Sequence, residues 1–298
     1  MQEATAYAAE THDRVRDQFE RTALERTVGR LPPAGGTLLD LGCGHGLARG
    51  LSGGQLGGYV GVDMRDPGRG LPGRFVMGDL REGLPSLGGE RFDLGLAAFG
   101  LASHLSPAQL KRVLGQLARR ARPGALVAIE ALGLHSLEWP LLWDRPVGSA
   151  RTISYRLGAD VPVHPWAPRE LCALLEGAGM KPLVARDRSV QAGPKAGEGR
   201  YWPLPPLRRA LDTLLTETET ETETEAEGDE ARDALATPLG PLPPGPAAVM
   251  HHALARRRRE LVADRTHESA SLARAVWELE PRSGGGYGHG LLVVARVP

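Results

Sequence analysis

The 298-residue chain has only two cysteines, few aromatic residues (5%) and no excess charge of either sign. Two cysteines, Cys43 and Cys172, cannot build a disulfide framework for this length, so free thiols in a reducing compartment are expected. The low aromatic content argues against a base-stacking or carbohydrate surface. With 36 basic and 36 acidic residues, no chain-wide field draws nucleic acid or anionic membrane, though a local basic patch stays open. No apolar run approaches the ~20 residues needed to cross a bilayer. The start, MQEATAYAAETHDRVRDQFER, lacks the apolar core of a signal peptide. The expectation is a cytoplasmic protein without membrane attachment. An apolar fraction of 41% is ample for a packed core. The length allows one full α/β domain with an elaboration.

Hydrophobic periodicity then sorts the chain into elements. Val15, Phe19, Leu24, Val28 and Leu31 recur at helical spacing until Pro32-Pro33 stop them. Short apolar strands follow at Thr37–Leu41, Tyr59–Asp63, Arg74–Gly78, Phe92–Phe99 and Ala125–Ala131. Between the last two, Ser106-Pro107 opens an amphipathic helix whose buried stripe is Leu110, Val113, Leu114 and Leu117. A second such helix spans Pro168–Ala178 and leads into KPLVAR. Nearly all-apolar strands alternating with helices predict a doubly wound α/β fold around a mostly parallel sheet. The crossover MRDPGRGLPG, between the second and third strands, is too short and glycine-rich for a full helix.

From about residue 191 the character changes. Proline-rich pieces flank an apolar-periodic stretch at Leu207–Leu215, and strict Thr-Glu alternation fills Thr216 to Glu225. Neither face of that tract is apolar, so a solvated linker at about 213–248 is expected. A long helix, Ala247–Arg274, follows, and GLLVVARVP reads as a buried strand in need of a sheet. The expected organisation is a core at 1–190, a helical insertion at 191–285, and a final core strand at 286–298.

The densest chemical signal is LLDLGCGHG, Leu38 to Gly46, an apolar strand that runs straight into Gly42, Gly44 and Gly46. Glycines suit a sharp turn against which a ligand lies on bare backbone. Asp63 ends the next strand, 21 residues after Gly42, where a carboxylate can accept both hydroxyls of a ribose. Two ligand classes use such a bend. The dinucleotide fingerprint G-x-G-x-x-G fails at its sixth position, which is Leu47, and Asp40 stands two residues before the first glycine. An acid there repels a pyrophosphate.

Asp40-Leu41-Gly42-Cys43-Gly44-His45-Gly46 resembles the first motif of the class I S-adenosylmethionine-dependent methyltransferases, acid-x-G-x-G-x-G. YVGVDM is similar to that family's second strand, FVMGDL to its third, RFDLGLAAFGLASHLSP to its fourth with the following turn, and ARPGALVAIEAL to its fifth. The resemblance covers about 180 residues plus the last strand and implies a seven-stranded Rossmann-like methyltransferase fold. It implies a cofactor site of Asp40, Gly42, Cys43, Gly44 and Gly46, with Asp63 and Met64 at the ribose. Asp79 would stand near the adenine amine with Leu80 beside the ring, and Ala97 and Phe99 would border the methionine portion. No metal is implied. The short helix after the first motif, the clipped crossover and the insertion of roughly ninety residues depart from the family and leave the cofactor residues untouched.

Other residues carry two readings each. His104, after the fourth strand, is either a catalytic base or orienting residue, or a turn-capping histidine. His135, His164, Trp139, Trp143, Tyr155 and Trp166 are either pocket walls or a satellite core. Phe19 reads as core and Tyr7 could serve either the core or the cofactor site. Cys43 is placed by backbone geometry and Cys172 by packing. Arg256–Arg259 spread around a helix, as a solvated end or as an RNA or acidic-protein contact. The expected function is methyl transfer to a small-molecule acceptor. An RNA or protein methyltransferase and a non-catalytic cofactor-binding scaffold are the alternatives. Nucleic acid is not expected as partner, because AAFG stands where nucleic-acid amino-methylating enzymes carry N/D-P-P-Y/F. The oligomeric state is not legible.

Overall fold

The computed structural model describes residues 14–31, 33–51, 56–66, 73–145, 151–157, 159–190, 207–216, 225–281 and 284–298. A π-helical turn, Arg16–Glu20, precedes helix α1 (Arg21–Arg30). Strands β1 (Thr37–Leu41), β2 (Gly58–Asp63), β3 (Arg74–Met77), β4 (Phe92–Ala97) and β5 (Ala121–Leu132) follow, with α2 (Leu47–Leu51) after β1 and α3 (Pro107–Arg120) after β4. Next come β6 (Ile153–Leu157), β7 (Ala159–Val163), α4 (Pro168–Gly177) and β8 (Lys181–Arg188). Helices α5 (Leu207–Thr216), α6 (Glu225–Ala236), α7 (Pro246–Ala263) and α8 (Ser269–Trp277) lead to β9 (Gly290–Arg296).

Seven strands form one sheet in the order β3-β2-β1-β4-β5-β9-β8. The pairs β1–β2, β2–β3, β1–β4 and β4–β5 are parallel. Val297 N donates to Ala125 O at one end of β5 and Gly133 N to His289 O at the other, so β9 runs antiparallel. Alternate residues supply two cores. Leu39, Val60, Val127 and Val293 join one cluster, and Leu38, Tyr59, Ala128 and Val294 the other. Both faces are therefore covered, as the near-continuous apolar strands require. The chain winds outward from β1 to β3 and returns on the other side of β1 as β4. That reversal opens a crevice at the carboxyl ends of β1 and β4.

Local chemistry sets the helix boundaries. Ser106 caps α3 through its Oγ, which accepts from Gln109 N at 3.3 Å, while the Gln109 side chain accepts from Ser106 N at 2.8 Å. Leu110, Val113, Leu114 and Leu117 are its buried face. The residues Pro123-Gly124 lie inside β5, at a register irregularity opposite β4, rather than between helix and strand. The long helix expected over Ala247–Arg274 is two helices. Asp264 breaks it because its carboxylate accepts from both the backbone N–H and the hydroxyl of Thr266, at 3.0 and 2.6 Å. Helix α6 lies inside the stretch expected as a solvated linker at about 213–248, so residues 225–236 are helical instead, and the β6–β7 pair was not expected.

The chain divides into two compact units. One, built from 22–132, 163–186 and 291–298, holds β1–β5. The other takes 133–162, 187–290 and the described residues up to 21. Residues 14–21 and 133–162, expected with the core, belong to this helical unit instead. Its own core includes Phe19, which stacks on Trp277 at 5.3 Å, with Leu137, Trp143, Leu211 and Val276. Tyr7, the clipped crossover at 67–72 and the Thr-Glu tract at 217–224 lie outside the described residues. Among the described residues, no helix is long and apolar enough to cross a membrane, and no group of side chains is arranged to hold a metal ion.

Candidate functional site

The carboxyl end of β1 turns through three glycines in the left-handed region: Gly42 (φ 62°), Gly44 (φ 50°) and Gly46 (φ 74°). Such angles strain any L side chain, which is why the motif spends glycine on alternate positions. Gly42 N and Cys43 N both donate to Val62 O, at 2.8 and 3.1 Å, which ties the bend to β2. A Cβ on Gly42 would stand 2.8 Å from Leu101 Cδ1, whereas one on Gly44 would meet nothing within 4 Å. Space beside bare backbone is what a bound nucleoside needs.

Asp63 closes the other side of the bend. Its Oδ2 accepts from Gly44 N at 2.9 Å and its Oδ1 from Arg65 N at 3.0 Å. Each oxygen keeps a further lone pair for a ligand hydroxyl. Beside it Met64 is 55% exposed, an apolar side chain left uncovered next to Asp63. These residues fit an adenosine.

Asp40 is placed differently from its expected role. It is 3% exposed and accepts a 2.8 Å hydrogen bond from the Tyr59 hydroxyl, one strand over. Burial pushes its carboxyl up to about 7, against the lowering effect of Tyr59. It lies within the sheet before the bend rather than exposed in it. Cys43 is also buried, and desolvation with the nearby Asp40 and Asp63 carboxylates raises its thiol to about 12. That leaves it an inert thiol, placed by the turn.

After β4 the chain bends through Phe99 (φ 53°) and Gly100 (φ 75°) into a 3-10 turn, Leu101–His104. A left-handed phenylalanine costs roughly 1–2 kcal/mol. Phe99 N donates to Glu130 Oε2 at 2.8 Å, a charge-assisted bond from the neighbouring strand. The turn is secured again at Ser103, whose Oγ accepts from Leu132 N and whose carbonyl accepts from His164 N. Phe99 remains 36% exposed. His104 ends the turn, half-buried, and desolvation holds its imidazole below the ordinary range. It is therefore neutral near pH 7, the state a base requires.

The remaining expected residues differ in their surroundings. Asp79 is half-buried and its carboxylate is gripped by Arg81, whose Nη2 lies 2.6 Å from Oδ2; the ion pair holds it below the usual carboxylate range. Leu80 and Ala97 are core residues, 7% and 3% exposed. Trp166 belongs to the main core, donating to Ala102 O and packing edge-on against the His164 ring. Trp139 and Trp143 are buried in the helical unit, where their indole N–H groups donate to Gly133 O and Ser136 O. These tryptophans are packing residues, not walls of an open pocket. His135 sits in the same unit with Nδ1 2.8 Å from Gly285 O.

Tyr59, Glu130 and Ser103 were not singled out in the sequence. Two left a signal. A phenol in a fully buried strand needs a partner, and an acid inside VAIEAL needs a reason.

No protein-family model matches the chain, and comparison with curated proteins returns no match. Among solved structures it is similar to the PH0226 protein of Pyrococcus horikoshii OT3 (TM-score 0.47, 19% identity, covering 60% of this chain and 87% of that one). It is also similar to the Burkholderia thailandensis 1,6-didemethyltoxoflavin-N1-methyltransferase with bound 1,6-didemethyltoxoflavin and S-adenosylhomocysteine (0.44, 20%, 61% and 79%). A third is a chain from the complex between the Haloferax volcanii Trm112 methyltransferase activator and a methyltransferase (0.47, 16%, 95% and 91%). Identities this low leave residue roles to the chain's own geometry.

Proposed function

We propose that the chain is a class I S-adenosylmethionine-dependent methyltransferase acting on a small-molecule acceptor. The observation that carries this reading is the bend itself. Bare backbone at Gly44 faces open space, and the same residue's N–H anchors the carboxylate of Asp63. S-adenosylmethionine, when bound, supplies a sulfonium-activated, electrophilic methyl group.

The chain's own residues then bind and align. Gly44 admits the ligand to the backbone, Gly42 and Gly46 let the chain bend around it, and Asp63 accepts from the ribose hydroxyls. Met64 and Leu80 flank the adenine, while Asp79 receives its amine by sharing the carboxylate that Arg81 holds. Ala97 and Phe99 border the methionine portion. Asp40, bound to Tyr59, supports the bend from within the sheet. Productive alignment needs the acceptor atom at about 3–3.5 Å, in line with the transferring methyl. His104, neutral by burial, takes a proton from a hydroxyl acceptor or orients an acceptor that needs no base.

Calorimetry with S-adenosylhomocysteine, NAD and FAD tests the ligand class. Binding of S-adenosylhomocysteine alone is expected, and Asp63→Ala should weaken it about 10-fold through loss of a charged acceptor. Binding of a dinucleotide in place of the thioether would overturn the reading. Labelled methyl transfer into a cell extract then sizes the product. A small labelled molecule is expected; labelled RNA or protein, or no transfer despite binding, would remove the small-molecule assignment. His104→Ala with unaltered turnover would exclude it from the chemistry.

A further inference from the structure

We infer that Glu130 is a positioning residue for the cofactor: it fixes the left-handed turn at Phe99–Gly100 and, through that turn, the ring of Phe99 and the packing above Gly42. The inference rests on the reading of the glycine bend as the cofactor site. It adds a residue on β5, outside the motif that suggested that reading.

Three observations converge on it. Phe99 occupies a backbone region that bulky side chains avoid, with its side chain 36% exposed. Glu130 lies beside the end of β4, because the register pairs Ala97 with Ile129, and its Oε2 accepts from Phe99 N at 2.8 Å. Two residues beyond Phe99, Leu101 fills the space at Gly42 so tightly that a Cβ there would stand 2.8 Å from Leu101 Cδ1. A shift of the turn is therefore felt at the bend. An acid in the half-buried end of an otherwise apolar strand segment is costly unless it has a task. Holding strain at a binding site is such a task.

The test separates reach from charge. S-adenosylhomocysteine affinity is measured by calorimetry for wild type, Glu130→Ala, Glu130→Gln and Glu130→Asp, with melting curves confirming that each is folded. Glutamine keeps an acceptor at the same reach, so Glu130→Gln should stay within about threefold of wild type. Aspartate keeps the charge but falls one methylene short, so Glu130→Asp and Glu130→Ala should both bind about 10-fold more weakly. Wild-type affinity in Glu130→Asp, or in a folded Glu130→Ala, would overturn the inference while leaving the cofactor reading intact. Equal weakening in Glu130→Gln and Glu130→Ala would overturn it too, since charge rather than reach would then matter. Absence of binding by wild type would remove the cofactor reading and this inference together. Glu130→Gln and Glu130→Asp remain decisive if Glu130→Ala does not fold.

Discussion

Asp40 stands in a strand whose neighbours on both sides are buried, and its proton is consequently a property of the fold. Its carboxyl is raised to about 7 from an ordinary 3.8, so between those values the folded chain keeps a proton that the unfolded chain has released. Stability contributed by that proton is complete below about pH 4 and disappears as pH rises through 7. Asp40→Asn cannot ionise and still offers Tyr59 an acceptor. It should flatten the pH dependence and melt about 5 °C higher than wild type at pH 8, with little difference at pH 4. A melting scan across pH checks this, and a variant that melts below wild type at pH 8 would refute a buried, proton-holding Asp40. The glycines and Asp63 were legible because their signature is local: φ above zero is paid for in glycine, and the acid ends its own strand. The true partner of Asp40 was not, since Tyr59 lies 19 residues away and only the β1–β2 register brings the two together. Glu130 and Phe99, 31 residues apart, were hidden for the same reason.

Elements were legible where their ends carry their own chemistry. The capping box at Ser106 and the proline at Pro107 predicted α3 nearly to the residue. The break between α7 and α8 was missed because apolar periodicity runs through it, although the Asp264-x-Thr266 spacing was a readable stop. Arg258 shows a different limit. Its neighbours Arg256, Arg257 and Arg259 are exposed as a solvated helix end requires, but Arg258 itself is buried. Its Nε donates to Leu235 O at 2.7 Å and its Nη2 to Thr237 O at 2.9 Å, satisfying carbonyls at the C-terminal end of α6. Desolvation lowers its guanidinium to about 10, still charged at neutral pH. Arg258→Ala should therefore destabilise the protein by about 2–4 kcal/mol in urea unfolding, while Arg257→Ala stays within about 0.5 kcal/mol. Equal effects at the two positions would return the whole run to the surface. Four consecutive arginines gave no way to tell which one turns inward.

At the scale of the molecule, the alternation of apolar strands and helices dictated a sheet covered on both faces, and the need of GLLVVARVP for a sheet was plain. Its place within the sheet was not, because an antiparallel strand returning after a long insertion has no local marker. β9 stands inside the sheet, between β5 and β8. Leu291, Val293, Ala295 and Val297 enter one core while Leu292 and Val294 enter the other, so a single strand ties both faces together. Burying a large aliphatic side chain contributes about 1.5–3 kcal/mol, and five of these six are leucine or valine. Their sum is comparable to the entire ~5–15 kcal/mol by which a domain is stable. A chain ending at residue 289 should therefore lose cooperative melting altogether, and Leu291→Ala alone should cost about 2–5 kcal/mol. If the shortened chain still melts cooperatively and binds S-adenosylhomocysteine, the five parallel strands are a self-sufficient fold. The last strand would then be an accessory to the cofactor site, not a condition for it.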